Sequence, residues 1–206
     1  MKKILFVVFA ATTLCNHVMA QDIELGLRDN QYAHVDYVDR RGWLVGYEQS
    51  LLNVKLKTQS GRLFVGYQLS GKGWLASAVA YGGGEFSGNW KAYGADFRGV
   101  YTWKCMELGL TLNPNYDTGL DFQFNYNAMA AISVYRKEKE SQSVKLTVSY
   151  GNIPEFRDNV NNFRFGMQFI NGDLWVKPEL SVPKFAEDSD NTYIRVLCSF
   201  GWKFHL

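Results

Sequence analysis

The chain has 206 residues, 47% of them hydrophobic and 20% charged, enough for one sizeable domain. Lys2 and Lys3 take two of the 22 basic residues, so beyond the first twenty positions, which contain no acid, 20 basic side chains stand against 20 acidic ones and the formal charge is zero. That balance excludes a protein built to neutralise nucleic acid, which needs a basic patch.

The amino end, "MKKILFVVFAATTLCNHVMA", carries two lysines, an apolar run over 4–11, and Val18 and Ala20 where a signal peptidase reads. Residues 1–20 are therefore expected to be a cleaved export signal, with 21–206 forming a single domain that no linker or fixed-period repeat divides. Leu14 before Cys15 is a poor fit to the small residue that a lipoprotein signal needs there. The apolar run is too short to span a bilayer, and no later stretch approaches the roughly 20 apolar residues of a membrane helix. Cys105 and Cys198 survive processing. Both read as unpaired small apolar residues, Cys198 on the apolar face of its strand.

From there on, apolar and polar residues alternate, which puts successive side chains on opposite faces of a strand. Ile23, Leu25 and Leu27 open the pattern, followed by Trp43, Val45 and Tyr47, and then by Leu63, Val65, Tyr67 and Leu69. The later runs are cleaner: Met106 to Leu112, Phe122 to Val134, Val144 to Tyr150, Phe163 to Phe169, and Ile194 to Leu206. Turn signals separate them, "DRRG" at 39–42, "SGKG" at 70–73, "KEKES" at 137–141 and "NG" at 171–172. The resulting strands are 22–28, 31–39, 42–52, 59–70, 73–82, 92–103, 105–114, 119–136, 142–151, 161–170, 173–182 and 192–205. Twelve is an even number that lets both ends of the sheet lie on one side. The parity of 22–38 is also compatible with one long strand, and 51–58 with an extra short one, so ten and fourteen strands remain open. Pro178, inside "LWVKPELSV", removes a ladder donor and predicts a bulge or local break.

Alternation alone does not separate a soluble sandwich, apolar inside, from a membrane barrel, apolar outside. The polar face carries Glu48, Arg62, Asp96, Arg98, Glu107, Asp121, Lys145, Arg164, Lys177, Glu179, Arg195 and Lys203. The apolar face is nearly free of charge, and its aromatics gather near strand ends, at Trp43, Tyr47, Tyr67, Tyr101, Trp103, Tyr150 and Trp202, as interfacial girdles do. Short connections alternate with longer ones, "GGGEFSGNW" at 82–90, "NIPEFRDNV" at 152–160 and "PKFAEDSDN" at 183–191. The last strand, with Phe200, Trp202, Phe204 and Leu206 on one face, resembles the carboxyl-terminal signal of the outer-membrane β-barrel proteins, although Leu206 replaces the usual terminal Phe. That resemblance implies an all-β, antiparallel up-and-down transmembrane barrel, with outer-membrane lipid and the barrel-assembly machinery as partners.

In such a barrel the polar face lines the lumen. Gly26, Gly46, Gly66, Gly109, Gly166 and Gly201 on that parity make room for long side chains, and the mixed charges can pair there. The leading expectation is a structural or interaction barrel whose lumen is filled by side chains. A narrow channel for small solutes is the alternative, and the excess of lumenal arginine and lysine would favour anions. A rim enzyme is third. His34 shares a strand face with Asp36 and Tyr32, but no serine motif accompanies the pair. Asp96 and Asp121 read better as partners of Arg98, Arg164 or Arg195 than as a catalytic carboxylate pair. No cofactor is expected and no metal-ligand spacing occurs; "EDSD" at 187–190 reads as a solvated loop. That loop and "PEFRDN" at 154–159 are places where an external ligand or partner would bind.

Overall fold

The computed structural model describes residues 20–51, 59–86, 88–119, 121–152, 161–183 and 194–205. Most of the expected export signal, the loop motifs at 154–159 and 187–190, and Leu206 thus lie outside the described residues.

Twelve strands form one closed antiparallel barrel: β1 (Ala20–Arg28), β2 (Tyr32–Asp39), β3 (Trp43–Ser50), β4 (Ser60–Gly71), β5 (Trp74–Glu85), β6 (Lys91–Trp103), β7 (Met106–Asp117), β8 (Asp121–Lys137), β9 (Gln142–Gly151), β10 (Asn162–Asn171), β11 (Leu174–Pro183) and β12 (Arg195–His205). Each strand pairs with its sequence neighbours, and β12 returns to β1 with Leu25 opposite Trp202 and Gly26 opposite Gly201. Residues 22–38 are two strands. Asp29 and Asn30 turn the chain with φ of 54° and 60°, a left-handed conformation that Asp and Asn tolerate better than most residues.

The connections sort by end. Those at 40–42, 72–73, 104–105, 138–141 and 172–173 share an end with the start of β1 and the finish of β12, and most of those at the opposite end are longer, as at 51–59, 152–161 and 184–194. Gly42, Gly73 and Gly172 take positive φ in the short turns, and Asp39 Oδ1 accepts from the amides of Arg41 and Trp43, both at 2.8 Å. β5 and β7 run past their sequence-based ends at 82 and 114, to Glu85 and Asp117. The glycines at 82–84 do not stop β5, because it is laddered on both sides there, Gly83 to Arg62 and to Ala92.

Pro178 makes no bulge. Its register with β12 is continuous through Cys198, whereas the β10–β11 ladder lacks the pairs of Met167 and Gln168 and resumes unshifted at Phe169 opposite Val176. The missing proline N–H therefore falls on the β10 side and breaks the ladder locally. Bulges occur elsewhere, between Ala20 and Asp22 and between Ser133 and Tyr135.

The two faces of the wall differ as a membrane barrel requires. Leu63, Val65, Phe97, Leu108, Phe124, Phe165 and Val196 stand exposed on the outside. Among the described residues the buried side chains are mainly polar, including Glu48, Asn113, Asn125, Glu179 and Ser181, with Tyr81, Ala92, Ala131 and Leu197 as the buried apolar ones. A soluble core would show the reverse. Aromatics gather toward both rims, with Trp43 edge-on to Tyr67 (centroids 5.4 Å apart) at the short-turn end and Tyr93 stacked on Tyr116 (5.1 Å) at the other.

Candidate functional site

Every second residue of each strand points into the barrel, so the interior is built from what those positions carry. Glu48, on β3, joins two of its neighbours. It is 5% exposed, and its Oε1 accepts from Arg28 of β1 at 2.9 Å and from Arg62 of β4 at 2.5 Å. β1 and β3 are not neighbours, so the Arg28 bridge crosses the inner surface over β2. There it meets the ring of Tyr32, with the guanidinium carbon 5.1 Å from the centroid. Arg62 packs against Tyr32, Phe64 and Tyr81 at 5.7, 5.7 and 5.4 Å. These contacts hold it along the wall by charge and by ring quadrupole together.

Tyr81 continues the network. Asn113 donates to its hydroxyl at 3.0 Å, to Asp96 Oδ1 at 2.6 Å and to the Ala95 carbonyl at 3.4 Å, while Asn115 donates to Asn113 Oδ1 at 2.7 Å. Among the described residues the hydrogen-bond partner of Asp96 is thus an amide, where the sequence pattern suggests an arginine. Elsewhere Lys145 meets Glu107 at 2.7 Å, Lys177 meets Glu179 at 2.8 Å, and Lys203 lies 3.7 Å from Glu24. Arg164 of β10 reaches Asp29, in the β1–β2 turn, at 3.6 Å. Those elements lie on opposite sides of β11 and β12, so the contact passes through the interior. Arg195 sits opposite Ser181 at the start of β12, and Asp121 opens β8 at the rim, exposed and opposite Asp117.

Arg98 differs from these. It faces inward between Ser77 and Thr111, is exposed, and has no ion pair among the described residues. Its surroundings reflect an asymmetry along the axis. Toward the long-connection end the inward side chains are buried, as at Ser50, Tyr81, Asn115, Asn125 and Ser181. Toward the short-turn end Arg98, Thr102 and Lys203 are exposed. Several buried polar atoms have no protein partner, namely Arg28 Nε, Gln31 Nε2, His34 Nδ1, Thr147 Oγ1 and both amide atoms of Asn125. Buried polar groups of this kind are normally satisfied by solvent.

His34 lies on the interior face with Nε2 3.5 Å from Glu24 Oε1 and 4.0 Å from Asp36 Oδ2. Two carboxylates surround the ring, and no serine hydroxyl bonds it among the described residues, so the geometry needed for nucleophile activation is not assembled there. Gly26 makes room for His34 and Gly46 for Asp36. A Cβ on Gly26 would stand 2.5 Å from His34 Cε1, and one on Gly46 would collide with the Asp36 carboxylate. Sequence reasoning passed over Arg28, Asp29, Tyr81 and Asn113. Arg28 and Asn113 occupy the polar parity, but nothing local marks them as network members. On β12, Phe200, Trp202 and Phe204 point outward, Trp202 stacked on Phe204 at 5.6 Å.

No protein-family model matches the sequence, and no curated protein matches it. Solved structures do. The KdgM porin in complex with disordered oligogalacturonate is 10% identical with a TM-score of 0.57, over 90% of this chain and 99% of that one. The NanC porin is 11% identical with a TM-score of 0.51, over 89% and 98%. The fold is that of the outer-membrane porins. A second KdgM porin structure, 9% identical with a TM-score of 0.51 over 91% and 99%, agrees. At these identities the porin fold is what is shared, and the lining side chains must be read from this chain.

Proposed function

We propose that the protein is an outer-membrane channel for small anionic solutes, exported by residues 1–20, released before Gln21 and inserted by the barrel-assembly machinery with its short turns toward the periplasm. The observation that carries this reading is Arg98, an exposed guanidinium on the inward face with no ion pair among the described residues, in the open half of a barrel whose other inward-facing basic side chains are largely held by carboxylates. A cation left available to solvent in a narrow lumen attracts anions from bulk and releases them again, because nothing desolvates it fully.

The test is conductance in planar bilayers across a KCl gradient. Wild type is expected to conduct with a reversal potential on the anion side, and Arg98→Glu to move it toward the cation side. Channels that stay silent in wild type overturn the reading. The relative whose structure contains oligogalacturonate suggests sugar acids as the first solutes to offer, and current block by galacturonate oligomers would identify the class.

A second reading, a structural or interaction barrel with a filled lumen, is favoured by the buried network of Glu48, Tyr81, Asn113 and Asn125 in the long-connection half. The same conductance measurement separates the two.

A further inference from the structure

We infer that the turns at the short-turn rim between β2 and β7 form a seat for an anionic glycerophospholipid, its phosphate on Lys72 and Lys104 and an acyl chain in the outward groove beneath them. The groove is lined by Tyr101, Trp103, Met106 and Leu108 on adjacent strands β6 and β7, all strongly exposed on the outer face. Directly above it the β6–β7 turn carries Lys104, whose Nζ lies 5.0 Å from the Trp103 ring. The cation is thus anchored over the aromatic that closes the groove. Lys72 sits in the neighbouring β4–β5 turn, which the Thr102 amide binds at the Gly73 carbonyl (2.7 Å), and Trp74 beside it pairs with Tyr101. Neither lysine has an ion pair among the described residues.

Charge around the rim favours an anion at this place. Three successive turns present Arg40 and Arg41, then Lys72, then Lys104. The acid among them, Asp39, accepts backbone amides of its own turn. Further round, acids offset the bases: Glu140 pairs with Lys137 in the β8–β9 turn, and Asp173 in the β10–β11 turn meets His205 at 3.1 Å. A free polyanion would be drawn to the lysines alone. The apolar groove opening toward the membrane under them selects an amphiphile with a phosphate head and a hydrocarbon tail.

The experiment is native mass spectrometry of the processed protein in detergent, offered dioleoyl phosphatidylglycerol and dioleoyl phosphatidylcholine together. Wild type is expected to retain one phosphatidylglycerol in roughly tenfold preference. Lys72→Gln with Lys104→Asn, the asparagine chosen because position 104 has φ of 53°, should bring the two lipids to parity. Met106→Trp, which fills the groove and keeps both charges, should reduce retention of either lipid severalfold. A shift of mobility on boiling confirms that each variant is folded. Equal retention of the two lipids by wild type overturns the inference without any variant. Unchanged preference in the folded double variant overturns it too, as does displacement of phosphatidylglycerol by soluble glycerol phosphate, which would show a headgroup site without a lipid seat. Both lysines lie outside the lumen, so the outcome is independent of conductance.

Discussion

Glu48 concentrates the consequences of single side chains. Two guanidinium groups share one of its oxygens, and its own side chain is almost wholly buried, so Glu48→Gln leaves two cations facing each other without their counter-charge. Arg28 keeps 43% of its side chain exposed and Arg62 24%, which softens the loss, and a destabilisation of about 1–3 kcal/mol is expected. Urea midpoints of wild type and variant in the same liposomes measure it. The same change should push the reversal potential further toward anions, which a merely structural role would not do. Tyr81→Phe removes the hydroxyl bonded by Asn113 and should cost about 1 kcal/mol with little effect on selectivity. Alternation placed Glu48, Arg62 and Asp96 on one face from the sequence, but their partners were hidden. Parity fixes which face a residue takes, whereas the height at which two strands meet depends on turn lengths and on stagger around the barrel. That is why Asp96 was assigned to arginines and is bonded by Asn113.

Strands show where the wall is sound and where it is thin. Pro178 and Pro114 each remove one ladder donor. Register is missing beside Pro114 at Ala95 and Asp96, and beside Pro178 at Met167 and Gln168. The Asn113 side chain repairs the first gap by donating to the Ala95 carbonyl. No side chain does so for Met167 among the described residues. Pro178→Ala should therefore stabilise the barrel by about 1 kcal/mol, read as a higher urea midpoint and as slower amide exchange over 165–169. Gly26→Val should do the opposite, by about 1–3 kcal/mol, since its Cβ would meet the Phe200 carbonyl oxygen and His34 Cε1. Strand positions were legible in the sequence because a wall with one apolar and one polar face repeats its signal along every crossing. The ends of β5 and β7 were not. Gly82, Gly83 and Pro114 look like breakers, yet the glycines are laddered on both sides and Pro114 is still paired opposite Phe124 of β8.

For the whole molecule, the β1–β12 seam sets the order of events. It is reinforced at its rim by His205, whose two ring nitrogens meet Asp22 at 2.5 Å and Asp173 at 3.1 Å. Replacing Trp202 and Phe204 with alanine should lower the fraction of protein that becomes heat-modifiable in isolated outer membranes, since both rings lie on the outward face of the closing strand. Asp22 and His205 are 183 residues apart in sequence, while every other pair of adjacent strands is joined through a single connection. Local hairpins can zip in any order, but this seam forms only after all the others and closes the longest loop in the chain. Until that moment the sheet has two bare edges, each a row of unpaired amides and carbonyls that a bilayer cannot hydrate. The lifetime of the nascent protein is thus governed by a half-finished, adhesive sheet, and a helper that shields both edges while they wait for each other affects yield far more than the stability of the finished barrel.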